Sequence, residues 1–158
     1  MKALPLIALV VLGAIVALAY PATSEQITVT AEVPTYVSVV FNYNAVSFGT
    51  VQPGTIDYPA PGNSQGLYNV TVSSNVNLNV SIHRTAWTPN DVLTLKFAHA
   101  LSPAGLTPGV AFEVTIDGTT YSFSEIGEFQ EFHGYWLSVP STAPAGSYST
   151  TVTITYTP

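Results

Sequence analysis

The chain has no cysteine, which excludes a disulfide framework, and only 8% of its 158 residues are charged, against about 25% in an ordinary soluble protein. Basic residues are scarcest, with three Lys and Arg against nine Asp and Glu and a formal net charge of −6. Lys2 stands in an apolar leader, so Arg84 and Lys96 are the only cations of the remainder. Neutralising a nucleic-acid backbone takes a patch of Lys and Arg, and two isolated cations exclude that partner. Nucleophile-elbow, zincin, Walker and dinucleotide signatures are all missing. His83, His99 and His133 are far apart in the chain, without the close spacing of a zinc pair. We therefore expect no enzymatic activity, no catalytic residue, no metal and no cofactor.

Residues 1–19 carry one Lys, an uninterrupted apolar run and a small-x-small ending at Ala17-Leu18-Ala19, the pattern of a cleaved secretory signal peptide. Removing roughly 19 residues leaves about 139, the size of one domain. The alternative is a type IV pilin, which retains such a helix as its filament core; Pro21 and the strand-like sequence beyond it stop the helix early. On either reading the domain is extracellular, and membrane contact is confined to the leader before processing. With no disulfides and little charge, stability falls to core burial or assembly, and the surface lacks the usual electrostatic barrier to self-association.

Beyond the leader no stretch holds a 3.6-residue period for three turns, whereas period-2 alternation recurs, so the fold should be all-β, an antiparallel sandwich. Strands are expected near residues 27–33, 36–42, 45–51, 67–73, 75–83, 92–98, 110–116, 119–124, 134–139 and 147–156. Val76, Leu78, Val80 and Ile82 should enter the core while Asn75, Asn77, Asn79 and Ser81 face out. In the last strand Tyr148, Val152, Ile154 and Tyr156 should point inward and Thr151, Thr153 and Thr155 outward. Asp117-Gly118 predicts a two-residue hairpin pairing 116 with 119, 114 with 121 and 112 with 123. Pro53-Gly54 fits a type II turn. Residues 52–66 and 99–109, rich in Pro and Gly, read as exposed loops.

The N-terminal strand is the most informative. Ile27, Val29, Ala31 and Val33 alternate with Thr28, Thr30 and Glu32, and Pro34 follows as a hinge. No Gly-bearing turn separates this strand from Val37, Val39 and Phe41, so the chain can run on without folding back. A seven-residue strand spans about 23 Å, enough to fill a groove in a neighbouring copy. The pattern equally allows pairing within its own domain as an edge strand.

Three stretches, ITVTAEV, SVVFNYNAVSFGTVQPGT and LSVPSTAPAGSYSTTVTITYTP, resemble the secreted β-sandwich fibre subunits that include the archaeal bundling pili and the biofilm matrix protein TasA. The elements that carry this are V-x-F-G-T-x-x-P-G-T at residues 46–55 and A-G-x-Y-x-x-T-V-x-I-T at residues 145–155. The resemblance implies a jelly-roll or Ig-like domain at residues 36–158, preceded by a donor strand and hinge at residues 20–35. It implies polymerisation by donor-strand complementation, with copies of the chain as partners, and extracellular filaments that bundle in biofilm or cell-cell adhesion. Residues 85–109 match no motif.

Other features have plainer readings. Glu125, Glu128 and Glu131 form an acidic stretch, read as a solvated loop or intersubunit contact. If bundling uses calcium or a protonation switch, it is expected there and at Asp117. Asn69 and Asn79 head N-glycosylation sequons, both expected on outward rows and eligible if the host glycosylates. Trp87, Trp136, Tyr135 and Tyr43 are expected in core or interface packing. As an exposed row they would instead make the chain a monomeric carbohydrate-binding sandwich with its terminal strand closed in its own domain.

Overall fold

The computed structural model describes residues 28–158, and Val33–Pro158 forms one compact unit. The leader and Ile27 lie outside the described residues. Among the described residues the fold is nearly all β: β1 (Val37–Phe41), β2 (Tyr58–Pro59), β3 (Asn69–Ser74), β4 (Leu78–Arg84), β5 (Thr94–Ala100), β6 (Phe112–Glu113), β7 (Thr119–Phe123), β8 (Gly127–Ser138) and β9 (Val152–Thr157). All pairings are antiparallel. One sheet runs β1-β3-β8-β5-β6, with β2 joining β8 beyond the end of β3; the other is only β7-β4-β9. The arrangement is consistent with a β-sandwich.

Side-chain alternation explains how the two sheets meet. On β4, Leu78, Val80 and Ile82 are fully buried while Asn79 and His83 are exposed. Leu78 and Val80 pack with Val70 and Val72 of β3, and Ile82 with Leu95 and Phe97 of β5, so β4 packs against the larger sheet. Each such side chain contributes about 1.5–3 kcal/mol on burial. On β9, Val152, Ile154 and Tyr156 are half-buried and Thr151, Thr153 and Thr155 exposed, as the alternation requires. The turn at Pro53-Gly54 closes with the Thr55 N–H donating to the Gln52 carbonyl at 3.2 Å, and Gly54 takes the positive φ of 85° that this turn demands.

Several expected elements differ. Residues 28–36 form no strand, and Val29 and Val33 are 86% and 77% exposed. Residues 45–51 are irregular: Val46, Phe48 and Val51 pack partly on the core, but no neighbouring strand offers them a ladder. The Asp117-Gly118 hairpin is overturned. β6 pairs β5 and β7 pairs β4, so the turn carries the chain from one sheet to the other. Phe112 consequently meets Tyr121 across the interior, ring centroids 6.1 Å apart, and not Phe123 across a ladder. Of the acidic stretch read as a solvated loop or intersubunit contact, Glu128 and Glu131 belong to the first half of β8, whose alternation places Phe129, Glu131, His133, Tyr135 and Leu137 on the interior face, while Glu125 precedes the strand.

Replacing Leu78 with Ala should lower the unfolding free energy by about 2–5 kcal/mol, because the buried site cannot collapse fully. Asn77→Ala, at an exposed position, should change it by about 0.5 kcal/mol or less. Urea denaturation of both variants checks the assignment of faces.

Candidate functional site

A groove of about 1090 Å³ opens between β9 and the larger sheet. Its floor is Leu95 of β5 with Tyr135 and Leu137 of β8, one wall is Val152 and Ile154 of β9, and the irregular residues 43–53 form the opposite lip. Two features of the chain create it. The smaller sheet has three strands, and among the described residues β9 pairs only with β4, leaving its other edge open. The lip supplies no ladder to that edge. An unpaired strand edge beside apolar side chains is a template for another strand. The volume lies just above the ~300–1,000 Å³ range of small-molecule pockets, which suits an extended segment.

One end of the groove adjoins a buried polar cluster. Glu131 and His133 are fully buried on β8. Tyr121 of β7 donates to Glu131 Oε1 at 3.0 Å and Tyr156 of β9 to Oε2 at 2.5 Å. His133 Nε2 stands 3.3 Å from Oε1, while its Nδ1 meets the Tyr43 hydroxyl at 2.5 Å. The Tyr43 hydroxyl also meets that of Tyr135 at 2.7 Å, so the lip is fastened to the floor through phenols. His99 of β5 faces His133 across the ladder, stacks on Tyr121 with centroids 3.8 Å apart, and brings Nδ1 to 3.5 Å from Glu131 Oε1. Burial, before any other influence, pushes the hydroxyls of Tyr43, Tyr121, Tyr135 and Tyr156 far above the ordinary phenol range, so they remain protonated donors.

The opposite end is built by residues 84–93. Arg84, itself buried, donates from Nε to the Val114 carbonyl at 2.9 Å and forms an ion pair with Asp91 at 2.6 Å. The Trp87 backbone N–H, then Arg84, hold the Asp91 carboxyl below its usual range. Trp87 lines the groove, and its buried indole Nε1–H has no hydrogen-bond partner.

The structure redistributes the residues singled out in the sequence. Val29, Ala31 and Val33 lie in the exposed segment before β1, and the Pro34 carbonyl accepts a bond of 2.8 Å from Asn75. His99 and His133, remote in the chain, are brought together by the β5–β8 ladder, which chain spacing cannot reveal; His83 stays exposed. The three glutamates part company: Glu128 is exposed, Glu125 half-buried and Glu131 in the core. Trp87, Trp136 and Tyr135 are buried and Tyr43 half-buried, so they form no exposed row. Asn79 is exposed on β4, whereas Asn69 is half-buried, with its amide donating to the Gly66 carbonyl at 2.9 Å. Both cations of the domain are paired, Arg84 with Asp91 and Lys96 with Asp57. Among the described residues no group of three acidic or His side chains is placed to hold a metal ion, and no helix is long and apolar enough to cross a membrane. The chain matches no protein-family model and no curated protein.

Burial is the largest influence on His99 and pushes its imidazole below the ordinary range, with Glu131 pulling the other way. A His depressed in the folded state binds its proton more readily when unfolded. Its contribution is therefore intact above about pH 6.5 and is lost as pH falls below that value. Denaturation midpoints should drop between pH 7.5 and pH 5, and His99→Gln should flatten part of that drop.

Proposed function

We propose that the chain is a structural, non-catalytic subunit of an extracellular fibre that polymerises by donor-strand complementation. On this reading residues 1–19 are removed as a signal peptide and residues 20–35 leave their own jelly-roll domain. Ile27, Val29, Ala31 and Val33 then fill the groove of the next copy, and the fibres bundle in biofilm or cell-cell adhesion.

The observation that carries the proposal is a matched vacancy and surplus. The smaller sheet has an open edge at β9 above an apolar floor. Residues 28–33 form no strand, alternate in polarity and expose Val29 and Val33. A seven-residue strand of about 23 Å matches the roughly 20 Å of β9, and it would add backbone bonds along the open edge while its alternate side chains enter the groove. The resemblance to bundling pili and TasA points the same way, and the low charge of the chain removes a barrier to close approach of copies.

Electron microscopy of the secreted protein, with N-terminal sequencing of the same material, should show filaments whose subunits begin near Tyr20. Val29→Asp should abolish the filaments and leave folded monomers, because a charge would enter the apolar groove unpaired. Thr30→Asp, on the opposite face of the segment, should leave assembly intact. Soluble monomers alone from the unaltered chain would overturn the proposal.

A further inference from the structure

Resting on that reading, we propose that the groove is out of reach of the segment of its own chain, so that its occupant is a second copy and the copies join head to tail. Asn75 is the clasp that fixes this arrangement.

The register of the larger sheet sets where the segment is rooted. β1 and β8 lie on either side of β3 and run parallel to each other, with Val37 level with Ser74 and Gly127, and Phe41 level with Val70 and Glu131. The chain therefore enters β1 from the Gly127 end of β8. The groove is at the other end, where Tyr135, Leu137 and Val139 line it and Leu95 stands level with Leu137.

Residues 34–36 are held at the Gly127 end by one residue. The Asn75 backbone N–H donates to the Tyr36 carbonyl at 3.2 Å, its side-chain oxygen accepts from the Tyr36 N–H at 2.7 Å, and its side-chain amide donates to the Pro34 carbonyl at 2.8 Å. Asparagine carries both an acceptor and a donor on its side chain, so it can close both of the last two bonds. Alanine would keep only the first.

Strand geometry turns this placement into a length. Tyr135 lies eight residues beyond Gly127 and Val139 twelve, about 26 and 40 Å at roughly 3.3 Å per residue. Ile27 lies seven residues before Pro34, at most about 25 Å away when the chain is fully extended. Doubled back along its own domain, the segment would bring Ile27 no further than the near edge at Tyr135 and leave Val29, Ala31 and Val33 short of the floor. Residues 20–26 are far enough along the chain to arrive, but they include Pro21 and lack the apolar alternation that the floor would bury. A segment rooted at one end and a groove at the other are different patches of surface, and their contact is heterologous, the kind that propagates into a filament.

Lengthening the tether tests the reach in the full-length chain. Gly-Ser linkers are inserted between Val33 and Pro34, outside every strand. Three added residues still leave the row short of the floor, and filaments should form as from the unaltered chain. Twenty added residues span about 25 Å on average and far more when extended, so the segment should fill its own groove at an effective concentration in the millimolar range and the protein should stay monomeric. Equal filament yield from both insertions, or monomers already at three residues, would overturn the inference while leaving strand donation standing. Soluble monomers from the unaltered chain would overturn the fibre reading. A protease of broad specificity then judges the reach separately, since cleavage within residues 27–33 upholds it and protection of that stretch refutes it. Asn75→Ala releases residues 34–36 and adds about 10 Å of tether. In a series of linkers lengthened by three residues at a time, it should turn filaments into monomers one step earlier. An unchanged threshold would refute the clasp.

Discussion

The ladders on β8 hold the domain together. β3 pairs with its first half, β2 and β5 with its second, and β1 and β6 are attached only through β3 and β5. Side chains along a strand alternate between its two faces, so the residues of β8 are sorted by which face they present. That sorting is strict even where it is costly. Glu131 enters the core because Phe129 and His133, two residues to either side, do so, and two other strands, β7 and β9, then supply the phenols that make its burial tolerable.

Legibility from sequence followed the same division. Where one face was apolar and the other polar, as on β4 and β9, alternation alone assigned inside and outside correctly residue by residue. It failed on β8, since Glu131 and His133 occupy inward positions and disguise the strand as an acidic loop. It failed again at Asp117-Gly118, because turn chemistry says that the chain reverses locally but not which strand receives each arm. The proximity of His99 and His133 could not be foreseen, being a product of register between β5 and β8.

The groove was legible only as a surplus. The sequence offered an alternating N-terminal segment without a turn to fold it back; the vacancy it would fill emerged from the strand order and the irregular lip at residues 43–53. The residues at that lip have strand-like alternation yet lack a partner, a tertiary effect that local propensity does not register.

The bond of Tyr43 to both His133 and Tyr135 gives the interior a property that the heavy atoms do not display. A hydroxyl has one hydrogen, so within this chain of three groups it can point to the imidazole nitrogen or to the second phenol. Turning it toward one obliges the other to donate in return, and the tautomer of His133 follows. The rings need not move for this to happen. The floor and lip of the groove therefore share a row of hydrogens that can reverse as a unit, so a change in hydrogen bonding at the groove can be felt at Glu131 without displacing the backbone of either sheet.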